Sequence, residues 1–214
     1  MSQKIKLDVV SDVVCPWCII GYKRLEQAIR ELGVEDRIDL EWQPFELNPH
    51  MPLEGQNLRE HLAEKYGTTK EDSIRARENL TNLGAELGFR FQYDDDMKML
   101  NTFESHILLE YAKSQGKQTE LKLRLFSAFF GEGKDISNRE VLATELQAVG
   151  LDSQEALQLL DNPEARLQVQ QAEDMWKQAG ISSVPTVVFN RESALTGAQP
   201  VDVYKQVLQE LLDK

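Results

Sequence analysis

Apolar and polar residues alternate at the start of the chain, with Ile5, Leu7 and Val9 set against Lys4, Lys6 and Asp8. A period of two predicts a strand. After a turn through Ser11 and Asp12 the period changes. Tyr22, Leu25, Ile29 and Leu32 recur at steps of three and four, which predicts an amphipathic helix running on from Cys18 and stopping at Gly33. Ile38, Leu40 and Trp42 then alternate with Asp39 and Glu41 as a second strand. Strand, helix and strand with so long a crossover predict a parallel βαβ unit.

Pro44, Pro49, Pro52 and Gly55 break this pattern, and residues 43–56 read as the exit from the first unit. From there to residue 149 the pattern is helical throughout. Thr68 with Glu71 and Ser137 with Glu140 each read as a capping box opening a helix. Asp94, Asp95 and Asp96 read as a solvated turn. Phe126, Phe129 and Phe130 read as core. Strand chemistry returns late. Asn162-Pro163 opens a helix through Val169 and Trp176 that Gly180 ends. Thr186 to Phe189 is a β-branched strand, residues 194–196 are its hairpin partner, and Val203 to Leu212 carry a last amphipathic helix.

The two cysteines of the chain, Cys15 and Cys18, stand where the first strand gives way to the first helix. A thiol pair two residues apart at a helix start reads as a redox site of thioredoxin type. A thiolate at Cys15 would gain hydrogen bonds from the unpartnered N–H groups of the first turn and a favourable helix dipole, so Cys15 is expected to titrate below an ordinary cysteine. Pro16 suits the first helical position because its missing N–H would have bonded nothing. Cys18, one turn on, is near enough to form a disulfide with Cys15. The alternatives are a structural cysteine pair or half of a zinc site. Zinc needs two more ligands, and His50, His61 and His106 show no ligand spacing, so no metal is expected.

A second segment, Ser183-Val184-Pro185-Thr186, joins a helix end to a strand. Proline is tolerated at a strand's first residue, and a plain trans bond is the simplest reading. Paired with a C-x-x-C motif after the first strand, Val184-Pro185 is expected to be cis.

The sequence as a whole resembles the DsbA-like thioredoxin superfamily and its FrnE-like cytoplasmic branch, which is related to 2-hydroxychromene-2-carboxylate isomerases and kappa-class glutathione transferases. The resemblance rests on Cys15-Pro16-Trp17-Cys18, Val184-Pro185-Thr186, Pro44-Phe45-Glu46-Leu47-Asn48-Pro49, Asn101-Thr102 with His106, Leu125-Phe126 with Gly133-Lys134-Asp135-Ile136, and Gly197-Ala198-Gln199-Pro200. It covers nearly the whole chain. It implies an α/β, thioredoxin-like fold with a large all-α insertion domain: residues 1–48 and 151–214 form the thioredoxin-like domain, and residues 49–150 form the insertion, which is expected to cover one end of the site. It further implies that Cys15 is the nucleophile and Cys18 the resolving thiol. Pro16, Trp17, Val184 and Pro185 would meet the substrate, and His106, alone on an apolar helix, is a structural histidine or a residue lining the site. The isomerase and transferase branches usually carry serine at the Cys15 position and an Asp-Arg pair near the final helix for the γ-glutamyl end of glutathione. Here Cys15 and Gln199-Pro200 stand in those places, so glutathione is expected as a co-substrate at most.

Composition narrows the rest. The formal net charge of −12 and a pI of about 4.8 repel phosphate backbones and exclude nucleic acid as a partner. No apolar run suggests a membrane span or a signal segment, and the expected compartment is the cytoplasm. There a disulfide is more often catalytic than structural. The expectation is therefore a thiol–disulfide oxidoreductase, monomeric or homodimeric, acting on protein or small-molecule disulfides without a cofactor. A glutathione-dependent isomerase or transferase is the alternative, and a thioredoxin-fold binding module the non-enzymatic one.

Overall fold

The computed structural model describes residues 4–213. In chain order the first elements are β1 (Ile5–Ser11), α1 (Pro16–Leu32), β2 (Ile38–Pro44), β3 (Gln56–Asn57), α2 (Leu58–Tyr66) and α3 (Lys70–Glu86). There follow β4 (Lys98–Met99), α4 (Phe103–Ser114), α5 (Gln118–Phe126), α6 (Arg139–Ala148) and α7 (Ser153–Gln158). The chain closes with α8 (Pro163–Gln178), β5 (Thr186–Phe189), β6 (Ser193–Thr196) and α9 (Val201–Leu212). It divides into two compact units, one made of Met1–Leu47 with Gln168–Lys214 and the other of Asn48–Leu167.

The first unit is built on a four-stranded sheet of order β2-β1-β5-β6. β1 and β2 are parallel, with Val9 opposite Trp42; β1 and β5 are antiparallel, with Val9 opposite Val187; β5 and β6 form an antiparallel hairpin. Successive side chains of β1 point to opposite faces. On one face Trp42 meets Tyr22 of α1, ring centroids 4.9 Å apart, and α1 packs on α9. On the other, Val10, Phe45 and Val188 enclose Trp176 of α8. With both faces covered, Leu7, Val9 and Val10 of β1 are all buried. Asp8 is fully buried with them; its carboxylate accepts from Gln43 Nε2 at 2.7 Å and pairs with Arg191 at 3.4 Å. Gln43 in turn accepts from the Trp176 indole at 3.2 Å.

The second unit is a helical bundle whose core includes Leu108, Leu121, Leu125, Phe126, Phe129 and Phe130. Three sequence expectations need correction in it. Residues 57–149 are not free of strand: β3 and β4 pair antiparallel, Gln56 opposite Met99. A two-residue ladder is too short to leave an alternating pattern, and it arises because two irregular connections meet and satisfy one another's backbone groups. The helix caps lie one residue later than expected. Thr69 and Asp72 form the capping box of α3, and Asn138 caps α6. Ser137 is occupied elsewhere, its hydroxyl donating to Asp135 Oδ1 and Leu53 O, whereas Asn138 Oδ1 is placed to accept from Glu140 N at 2.8 Å. Finally, the boundary with the returning segment lies at Leu167 rather than residue 150. Leu151, Ala156 and Leu160 are buried, Tyr111 of α4 donates to Glu155, and Arg139 of α6 binds Asp161, so this stretch packs with the helical unit. Residues 1–3 and 214 of the expected thioredoxin segments lie outside the described residues.

Candidate active site

Cys15 is the N-cap of α1, extended at φ −93° and ψ 111°, and Pro16 opens the helix behind it. The turn that delivers Cys15 is tied at two points. Its N–H donates to Asp12 O at 3.2 Å, and the Asp12 carboxylate accepts from Leu47 N at 2.8 Å, joining the turn to the exit of β2. Asp12 is 1 % exposed. Both cysteines are free thiols and buried, whereas Trp17 between them is 41 % exposed. Trp17 is thus the exposed apolar side chain of the motif.

The second segment arrives from the far end of the chain. The Val184-Pro185 bond is cis, and Cys15 Sγ donates to Val184 O across 3.8 Å. Pro185 O accepts from Gly197 N at 2.7 Å, which pins this loop to the turn after β6. Thr186 Oγ1 closes the loop on itself by donating to Ser183 O at 2.8 Å. The unit thereby brings Cys15, Cys18, Pro16, Trp17, Val184 and Pro185 into one constellation. His106 lies on α4 of the helical unit and is 2 % exposed there. His61 is held by Gln56 and Asn48, and His50 is exposed. Among the described residues no group of three or more His, Cys, Asp or Glu side chains is placed to hold a metal ion.

The electrostatics of Cys15 depart from expectation. The adjacent Cys18 thiol and burial push the Cys15 thiol well above the ordinary cysteine value, and the buried charge of Asp12 adds to this. The Cys18 backbone N–H pulls the other way, as a helix start should, but it is outweighed. In the closed dithiol the two sulfurs share one site, so they cannot ionise independently. In the sequence Asp12 reads only as a turn residue. Its carboxylate becomes significant once the turn is folded over it.

At the γ-glutamyl position expected of glutathione-dependent relatives, Gln199 spends its amide on Thr196 O at 2.6 Å and Pro200 is the N-cap of α9. Arg24 of α1 donates to Ala198 O in this turn at 2.9 Å.

The sequence model of the DSBA-like thioredoxin domain matches residues 6–209. An uncharacterized protein, YwbO of Bacillus subtilis (strain 168), is 27 % identical over 207 residues, 96 % of each chain. The crystal structure of a probable DsbA oxidoreductase, SCO1869 of Streptomyces coelicolor, superposes with a TM-score of 0.92 at 28 % identity, covering 98 % of this chain and 91 % of that one. The cytosolic disulfide reductase DsbM of Pseudomonas aeruginosa, solved with GSH, shares the fold at a TM-score of 0.67 and 19 % identity, over 98 % of this chain and 100 % of that one.

Proposed function

Since the chain belongs to the DSBA-like thioredoxin family, we propose that it is a thiol–disulfide oxidoreductase in which Cys15 is the nucleophile and Cys18 the resolving thiol. The observation that carries this reading is the meeting of a helix-capping Cys15, 3.8 Å from the Val184 carbonyl, with a second thiol one turn along. In the reducing direction the Cys15 thiolate attacks one sulfur of a substrate disulfide and expels the other as a thiolate. Cys18, losing its proton, then attacks the Cys15 sulfur and expels the second substrate thiolate, leaving a Cys15–Cys18 disulfide. A dithiol reductant or glutathione restores the pair, and the reverse sequence oxidises a substrate dithiol. The exposed Trp17 and Pro16 would contact the substrate, with the Val184-Pro185 backbone lying along it as a short added strand.

The substrates are protein or small-molecule disulfides, and the proposed compartment is the cytoplasm, where a glutathione pool can keep the pair turning over. Among the described residues no helix is long and apolar enough to cross a membrane.

Insulin reduction with dithiothreitol tests the assignment. Wild type accelerates it, Cys15→Ser abolishes it, and Cys18→Ser accumulates a mixed disulfide that identifies the substrate when trapped from cell extract. Glutathione-dependent isomerisation of a hydroxychromene substrate that survives Cys18→Ser, with no disulfide turnover in wild type, would replace this reading with the isomerase one.

A further inference from the structure

We propose that Gly21 is a positioning residue for the Cys15 site: its missing side chain lets α1 close on the Val184-Pro185 loop and so sets where a substrate lies against the thiol. This rests on the oxidoreductase reading above and goes beyond it by assigning a role to a residue outside the cysteine motif.

Glycine inside a helix is less favourable than alanine, and Gly21 sits in the buried interior of α1. Its φ is not positive, so the backbone makes no demand that only glycine can meet. Space does. A Cβ at this position would stand 3.1 Å from Pro185 Cγ, 3.3 Å from Ala198 Cα and 3.4 Å from Ala198 Cβ. None of these atoms belongs to a flexible side chain that could swing aside. Pro185 is a closed ring whose carbonyl is held by Gly197 N at 2.7 Å. Ala198 is held from α1 itself, its carbonyl accepting from Arg24 Nη1 at 2.9 Å. Residues three apart on a helix share a face, so Gly21 and Arg24 act on the same turn, one by close approach and the other by a hydrogen bond.

A methyl group at Gly21 would therefore part the helix and the loop by a few tenths of an ångström. Cys15 is anchored to the helix and Val184 to the loop, and their 3.8 Å contact spans the gap that opens. Disulfide exchange needs three sulfurs in line, one of them on a substrate held by the loop, and reactions of this kind lose roughly a hundredfold for a misplacement of about 1 Å.

The experiment compares two reactions of Cys15 in one preparation. A peptide disulfide uses both the thiol and the loop; iodoacetamide uses the thiol alone. Gly21→Ala is expected to lower kcat/KM for the peptide roughly three- to tenfold, mostly through KM, and to leave alkylation within about twofold. Arg24→Met, which frees the Ala198 carbonyl without adding bulk at Gly21, should shift the same ratio in the same direction, and it decides the matter if Gly21→Ala does not fold. Wild-type peptide turnover left unchanged by the variants overturns the inference. So does a parallel loss of exchange and alkylation, which marks a purely structural glycine. Wild type that turns over no disulfide at all overturns the oxidoreductase reading, and this inference with it.

Discussion

At Cys15 the strongest influence is the neighbouring sulfur, and this has a measurable sign. In Cys18→Ser the second ionisable thiol is gone, while the hydroxyl can still donate to the Cys15 sulfur. The Cys15 thiol should then titrate lower than in wild type, because the first cause of its elevation has been removed. Asp12→Asn should move it in the same direction. The amide oxygen can still accept from Leu47 N, so the turn is kept while the buried negative charge opposing the thiolate is lost. The pH dependence of iodoacetamide alkylation, or of thiolate absorbance, measures both shifts. A Cys15 that titrates at or above its wild-type value in these variants would show that neither neighbour governs it.

Between elements, the sheet is joined to α8 by a polar link inside an otherwise apolar layer. Asp8 of β1, Gln43 of β2 and Trp176 of α8 form one hydrogen-bonded line, and the Arg191 side chain reaches Asp8 from the β5–β6 turn. Gln43→Ala removes a donor from a fully buried carboxylate and strands the Trp176 indole, a loss of about 3 kcal/mol in unfolding free energy. Urea denaturation followed by tryptophan fluorescence reads it, and a loss under about 1 kcal/mol would mean that the line adds little to packing. A smaller effect belongs to α6. Asn138→Ala takes away the acceptor for two first-turn N–H groups and should cost about 1 kcal/mol, whereas Ser137→Ala should not register as a lost cap.

For the molecule as a whole, charge acts before contact. A chain with a formal net charge of −12 carries a field that favours cationic visitors. Two peptide disulfides of equal length, one rich in lysine and one in glutamate, should react with Cys15 at different rates, the lysine peptide faster. The ratio should shrink towards one as salt shortens the Debye length from about 30 Å at 0.01 M to about 3 Å at 1 M. Stopped-flow kinetics across that range test this. A ratio that ignores salt would mean that recognition is entirely short-ranged, through Trp17 and the Val184-Pro185 loop.

Much of this protein was legible along the chain, because the signals concerned are carried by neighbours in sequence. Alternation in Ile5–Ser11 and the three-four steps of α1 each report one element burying one set of side chains. Cys15 and Cys18, set between them, mark a helix start bearing two thiols. Val184-Pro185 ahead of a β-branched strand marks the other edge of the constellation. Tertiary structure alone decided what these pieces meet. It paired β3 with β4, passed the cap of α6 from Ser137 to Asn138 because Ser137 had another partner, and drew residues up to Leu167 into the helical unit. It also buried Asp12 beside the thiols, and brought Pro185 and Ala198 so close to Gly21 that even a methyl group there would press on them. A residue's periodicity depends on its own helix or strand, but the room around it, as at Gly21, depends on segments more than 150 positions away, which meet only when the sheet closes.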